Sequence, residues 1–260
     1  MALKDDLESN YSRIGTVLIE RLYDSEDFLS LSGVESTDVM ARHAGVNASS
    51  NVLDIGAGLG GPALHMVETL GCKVTAVDLV QTNVDQAQAR AKARGLDSKA
   101  SFHQADAQAL PFTDGAFDVV FSQDAFCHVP DKQQVINEAA RLARSGGKIT
   151  FIDWVESGSM SAQMQQSVYS ALAAENLATA AQYKGWLAQN GCAVTVEDDI
   201  SSVFASRYQS AMERLRGMED EISKQFSPRV FSIMVEKNAA IQDAFDSGDL
   251  GGVLIVADRP

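Results

Sequence analysis

The chain has 260 residues, 45% of them hydrophobic, with a formal net charge of −14. That size supports one good-sized core with room for an inserted cap. The negative charge argues against nucleic acid or an anionic membrane as partner. Hydrophobic runs are short and bounded by charge, against a transmembrane span, and the opening M-A-L-K-D-D-L-E lacks the apolar stretch of a signal peptide. Cys72, Cys127 and Cys192 stand singly, with neither zinc-ligand nor disulfide spacing. A reduced, cytoplasmic setting without a metal site is the expectation.

In residues 1–48, Tyr11, Ile14, Val17, Leu18 and Leu22 fall three or four apart, the spacing of an amphipathic helix. A turn at Ser30–Gly33 leads to a second helix from Val34 to His43, stopped by Gly45. Two readings stay open for this segment: a lid packed on the catalytic part, or helices closing a sheet edge. From Asn51 the chain alternates strand and helix, the pattern of a doubly wound parallel sheet of Rossmann type. The strands are read at Asn51–Ile55, Lys73–Val77, Ser101–Ala105, Phe117–Ser122 and Lys148–Asp153. Helices follow over Thr82–Arg94, with Thr82 as N-cap, and over Asp131–Arg144, ended by Ser145-Gly146-Gly147. Beyond that, Ser161–Asn190 reads as mostly helix, Ala193–Glu197 as a strand, Tyr208–Phe226 and Arg229–Asp246 as helices, and Gly252–Ala257 as a closing strand. The whole is expected to be a single α/β domain over 1–260: a helical lid (1–48), a cofactor-binding core (49–155), and covering helices with closing strands (156–260).

Asn51 to Pro62 reads N-V-L-D-I-G-A-G-L-G-G-P. A short apolar run enters Gly56, Gly58, Gly60 and Gly61, and Pro62 opens a helical segment. Glycine lets the backbone take positive φ and approach a ligand closely, and proline suits a helix's first turn. Such a turn holds a nucleotide-like ligand at the carboxyl end of a parallel strand. Gly56-x-Gly58-x-x-Gly61 also fits the dinucleotide fingerprint. Asp54, with no Lys or Arg between it and Pro62, tips the balance. A fixed carboxylate repels a pyrophosphate and attracts a ligand with ammonium and sulfonium groups, such as S-adenosylmethionine.

Three acids terminate successive strands: Asp54, Asp78 and Asp106. Asp78 follows Gly56 by 22 residues, the distance expected of a carboxylate that accepts both hydroxyls of a ribose. Asp106, in A-D-A, is placed to accept from an adenine amine. Ala57, Leu79 and Ala107 beside these residues complete the expected cofactor contacts. After strand four, S-Q-D-A-F-C-H-V-P brings Gln123, Asp124 and His128 towards the reacting end. A Cys127–His128 nucleophilic pair is set aside, because adjacent side chains point apart.

V-L-D-I-G-A-G-L-G-G-P-A, G-C-K-V-T-A-V-D-L, L-P-F-T-D-G-A-F-D-V-V-F-S-Q-D-A-F-C-H and the S-G-G-K turn resemble the class I S-adenosylmethionine-dependent methyltransferases. Within that group the chain resembles the sarcosine/dimethylglycine and phosphoethanolamine N-methyltransferases over nearly its whole length, including N-terminal Y-S-R-I-G and F-L-S-L-S-G-V-E. The resemblance implies that Tyr11 and His128 form a pair that latches the site and helps deprotonate an amine. It implies that Leu29, Ser30 and Gln123 contact the cofactor. Asp124 would stabilise a substrate ammonium or brace its loop. The phosphate ligands of the phosphoamine enzymes are missing, and Trp154, where a tyrosine is expected, is read as a substrate-binding residue. Tyr183 and Lys184 match a tyrosine next to a basic residue in the dimethylglycine type, and Arg207 is a further candidate for a substrate carboxylate. A small amine such as sarcosine or dimethylglycine is therefore the expected acceptor, and the oligomeric state stays open. The alternative is a phosphoethanolamine-type or other natural-product N-, C-, O- or S-methyltransferase, and the rivals are an NAD-dependent oxidoreductase, a non-catalytic binder of the same fold, and a sterol C-methyltransferase.

Overall fold

The computed structural model describes residues 13–260. Seven strands form one sheet in the order β3-β2-β1-β4-β5-β7-β6. They are β1 (Asn51–Ile55), β2 (Lys73–Asp78), β3 (Ala100–Gln104), β4 (Phe117–Gln123), β5 (Ala143–Glu156), β6 (Ala193–Asp199) and β7 (Leu250–Asp258). The first five pair in parallel, and β7 runs antiparallel to both its neighbours. The strand order reverses between β1 and β4, where an open α/β sheet leaves a crevice at its carboxyl ends. The last strand does not add at an edge, as a closing strand would. It is inserted between β5 and β6 and buried almost throughout, which accounts for its unbroken apolar run.

The helices are α1 (Arg13–Tyr23), α2 (Gly33–Ala44), α3 (Gly61–Leu70), α4 (Gln81–Ala93), α5 (Lys132–Leu142), α6 (Ala162–Leu172), α7 (Ala180–Gln189), α8 (Ser201–Gly217), α9 (Glu219–Gln225) and α10 (Pro228–Asp246). Among these described residues, none is long and apolar enough to cross a membrane. Several boundaries differ from the sequence reading for local reasons. Helix α4 starts ahead of Thr82, because Asp78 Oδ1 accepts the Val80 amide at 2.8 Å and Val80 O already receives the Asn83 amide. Strand β3 stops at Gln104, so Asp106 lies in a turn whose Oδ1 accepts the Gln108 amide at 2.9 Å. Helix α5 ends at Leu142, because the chain turns extended at Ala143.

The stretch read as helix over Ser161–Asn190 breaks at Ala173, a left-handed residue at φ 50°. It restarts at Thr179 with a reciprocal cap between Thr179 and Gln182. The helix read over Tyr208–Phe226 begins earlier, at Ser201, and is cut at Met218. On one face of the sheet, α2, α3 and α4 pack with Met40, Leu64, Met66 and Ala87 in the core; on the other, α5 and α7 close over Val135, Ile136, Phe151 and Leu187. Helix α2 rests against α3, β5 and β7, and α1 against α8. The connector between α1 and α2, not α2 itself, passes over the glycine turn.

Candidate active site

At the carboxyl ends of β1, β2, β3 and β4 lies a cleft of about 970 Å³, partly open to solvent. Its floor is the turn after β1. The Gly56 and Ala57 amides both donate to Val77 O, at 2.8 and 3.0 Å, folding the turn back onto β2. Gly56 sits at φ 81°, and a Cβ there would fall 2.2 Å from that of Ala125. Gly58 sits at φ 53° with the Leu29 side chain 3.2 Å from where its Cβ would be. No other residue fits a turn so strained and so tightly covered.

Asp78, Leu79, Asp106, Ala107, Ala57 and Gly58 line the cleft, with Leu29 and Ser30 from the connector. The Asp78 carboxylate accepts from Gly58 N and Val80 N, both at 2.8 Å. Burial raises its pKa, opposed by these hydrogen bonds. Asp54 is not on the cleft wall. Strand alternation turns Ile55 into the cleft and Asp54 to the opposite side of β1. There it is 1% exposed, with Oδ2 lacking any partner among the described residues. Burial, aided by the Asp78 charge, pushes its pKa up to about 8.

The β4 side is built from side chains. Gln123 spends its amide on the N-terminal segment: Nε2 donates to Ser30 Oγ at 2.9 Å and Gly33 O at 2.8 Å, and Oε1 accepts from Thr37 Oγ1 at 2.7 Å. It lines the cleft, but its polar atoms tie α2 to β4. Asp124 stands at φ 55°, a strained conformation for a residue with a side chain. Its Oδ2 accepts the Ser32 amide at 3.0 Å, while Oδ1 is buried with no partner among the described residues. Burial raises Asp124 to about 7; the Asp153 charge adds to this, and the Ser32 amide and Arg207 oppose it.

His128 follows in a 3-10 turn, Phe126–His128. Its Nδ1 lies 3.3 Å from Ala173 O. A carbonyl only accepts, so Nδ1 carries the hydrogen in this contact, and the Leu172 carbonyl also acts on the ring. Burial lowers its pKa to about 4, leaving the ring neutral at physiological pH.

A buried network holds this turn in place. Asp153, fully buried on β5, accepts from Cys127 N at 2.9 Å and from Tyr183 Oη at 2.5 Å. Lys132 Nζ reaches Cys127 O, Val129 O and both Asn176 oxygens at 2.8–3.2 Å. The break after α6 thus sets Ala173 and Asn176 against the turn that presents His128. Cys127 is buried, with its thiol pKa pushed up by burial and by Asp153, which suits packing and not attack.

Four residues read as substrate ligands stand elsewhere. Tyr183 is fully buried among Phe151 and Trp186, its hydroxyl spent on Asp153. Lys184, one position on, faces β6 and pairs with Glu197 at 2.8 Å. Adjacent helical residues do not share a face, so the two never formed one pocket. Trp154 packs against Phe204, Tyr208 and Phe245, away from the cleft lining. Arg207 pairs with Glu35 at 3.2 Å, and its field reaches Asp124. Tyr11 lies outside the described residues.

Other groups at the site escaped the sequence reading. Asn83 lines the cleft with its Oδ1 buried and unpaired among the described residues. Tyr23, at the end of α1, feels the Asp124 charge, which with burial raises its phenol pKa. Only their positions, late in α1 and five residues after Asp78, hint at a role. The glycine cradle and the oxygens of Asn83 and Asp124 that lack a partner among the described residues suit a nucleoside that bears a cationic tail.

The methyltransferase domain family matches residues 53–151. The sarcosine/dimethylglycine N-methyltransferase of Halorhodospira halochloris is 31% identical, over 73% of this chain and 67% of that protein. The 27-O-demethylrifamycin SV methyltransferase of Amycolatopsis mediterranei is 27% identical, over 86% of this chain and 82% of that one. In fold, the chain is similar to Haemonchus contortus phosphoethanolamine N-methyltransferase 2, solved with phosphomonomethylethanolamine and S-adenosylhomocysteine. The TM-score is 0.89 at 20% identity, over all of this chain and 60% of that one.

Proposed function

This chain belongs to the class I S-adenosylmethionine-dependent methyltransferases, and from that premise we propose that it methylates the nitrogen of a small amine. The observation that carries the acceptor is Asp124. A carboxylate that is nine-tenths buried, with one oxygen lacking a partner among the described residues, is costly unless a hydrogen-bond donor or cation meets it. An amine supplies both.

In this reading Gly56, Gly58, Asp78 and Asp106 hold the nucleoside, with Leu29 and Ser30 over it. The bound cofactor supplies an electrophilic methyl on a sulfonium. What the chain adds is alignment, exclusion of water and a place for a proton. An amine arrives mostly protonated and attacks only as the neutral base. Asp124, raised to about 7, is matched to receive that proton. His128, lowered to about 4, is a poor final base; its neutral ring, on the cleft lining, is assigned to orienting the acceptor. Tyr11 is assigned the latching role opposite His128.

The cleft lining carries no Lys or Arg among the described residues, so a phosphorylated amine would bring a dianion without cationic partners. Sarcosine and dimethylglycine are placed first, supported by the likeness to the Halorhodospira enzyme. With Tyr183, Lys184 and Arg207 all engaged elsewhere, no cation of the cleft lining is assigned to their carboxylate, whose single charge is less costly than a phosphate dianion. A second reading, methylation of a hydroxyl, is supported by the neutral ring of His128 on the cleft lining.

A panel of sarcosine, dimethylglycine, phosphoethanolamine and phenolic acceptors with labelled cofactor tests these readings. Methylation of the first two, with Asp124→Asn and His128→Gln losing kcat while keeping affinity for S-adenosylhomocysteine, is the expected result. Preferential methylation of phosphoethanolamine overturns the substrate class, and labelling of phenols alone transfers the case to the hydroxyl reading.

A further inference from the structure

A carboxylate has about four acceptor positions, two on each oxygen. At Asp78 three are taken by the protein. Oδ1 accepts from Val80 N at 2.8 Å and from Asn83 Nδ2 at 3.4 Å, and Oδ2 accepts from Gly58 N at 2.8 Å. A ribose brings two vicinal hydroxyls, and therefore two protons, to a group with one position left. The second proton needs another acceptor.

The Asn83 side chain provides it. Asn83 is 2% exposed and lines the same cleft, and its Oδ1 is buried with no donor among the described residues. Its orientation is fixed by Asp78: turned about, the amide oxygen would face the carboxylate and the donor would be lost. The first turn of α4 holds it there, through the Asn83 amide on Val80 O at 3.1 Å. Left unmet, a buried amide oxygen destabilises the fold that holds it, and a ligand hydroxyl recovers that cost.

Resting on the cofactor reading above, we propose that Asn83 is a second ribose-binding residue, its Oδ1 accepting one hydroxyl while Asp78 Oδ2 accepts the other. Recognition of the diol is then divided between an amide and a carboxylate, and Asn83 selects for nucleosides that carry both hydroxyls. The same division explains why Asp78 can brace the glycine turn through two main-chain amides and still hold a ligand.

The test is calorimetric titration of wild-type protein and Asn83→Leu with S-adenosylhomocysteine and with its two analogues that each lack one ribose hydroxyl. Leucine keeps the size of asparagine and removes the acceptor. The expected loss for S-adenosylhomocysteine is roughly tenfold, the order of one hydrogen bond. One analogue should bind the variant as well as S-adenosylhomocysteine does, because the hydroxyl it lacks no longer has a partner; the other should keep its full penalty. Asn83→Ala should repeat the pattern, which guards against a packing fault peculiar to leucine. Unchanged affinity for S-adenosylhomocysteine overturns the proposal. So does a loss in which both analogues keep their penalties, since Asn83 would then only position Asp78. No binding to the wild-type protein would overturn the cofactor reading itself, a result visible before any variant is made.

Discussion

On the β1–β2 side of the cleft the ligand-facing groups are local. The turn amides reach Val77 O and Asp78 across one strand pair, and everything from Asn51 to Asn83 is drawn from one short stretch of chain. On the β4–β5 side the groups converge from far apart. Asp124 is met by Ser32, 92 residues away, and His128 by Ala173, 45 away. The turn between them hangs on Asp153, 26 residues beyond Cys127. The first wall is set by backbone geometry and tolerates little but glycine. The second is set by buried side chains whose partners, charge and protonation can change without altering the fold.

That contrast can be broken hardest at Asp153. Asp153→Ala removes the acceptor of both the Cys127 amide and the Tyr183 hydroxyl and leaves Lys132 with one less opposing charge. A loss of about 3 kcal/mol or more is expected from two buried hydrogen bonds to a charged group. Urea unfolding measures it; turnover should fall further than stability alone explains, because the His128 turn loses its support. Asp78→Ala breaks the other wall. Its expected cost is about 2–3 kcal/mol in affinity for S-adenosylhomocysteine, read by calorimetry, and unfolding should be affected too, because Gly58 N and Val80 N lose their acceptor.

Asp124 sharpens the comparison through pH. Its pKa is raised from 3.8 to about 7, so the native state binds that proton more tightly than the unfolded chain. Stability from this source is complete below the ordinary carboxylate value and is lost as pH rises towards 7. The difference in urea midpoint between wild type and Asp124→Asn should therefore decline steadily between about pH 4 and pH 7. A pH-independent difference would mean the carboxyl is not held protonated. The smallest effect belongs to Lys184→Ala. Its ion pair with Glu197 is about two-fifths exposed on each side, and such pairs contribute about 0–1 kcal/mol. KM for every acceptor should stay unchanged, and a rise for sarcosine alone would restore Lys184 to the site.

The two walls also differ in how far they were legible. V-L-D-I-G-A-G-L-G-G-P announces its strand, turn and helix because each depends on neighbours in sequence, and the strand-end acids follow by the alternation of β and α. Asp54 shows the limit even there: its place in the motif was plain, but strand alternation carried it behind the turn. Tyr183 and Lys184 looked like a pair because they are adjacent, yet helical geometry sends one to the core and the other to β6. The supports of His128 could not be read at all. Ala173 and Asn176 lie in a break that helical periodicity spans without notice, and Asp153 looks like any acid near a strand end. Asn83 was missed because its importance depends on how many acceptor positions Asp78 has already committed, which no spacing reveals.

The insertion of β7 between β5 and β6 has a consequence for how this molecule is made. Strand β6 touches the sheet only through β7, and the outer edge of β5 is closed by the same strand. While a ribosome is still short of Leu250, both edges expose unpaired main-chain groups, the state in which strands recruit neighbours wrongly. Long-range pairing of this kind also slows folding. Cleavage in the helices between β6 and β7 would recreate the same hazard in the finished protein, whereas cleavage in the connector before α2 would leave the sheet intact.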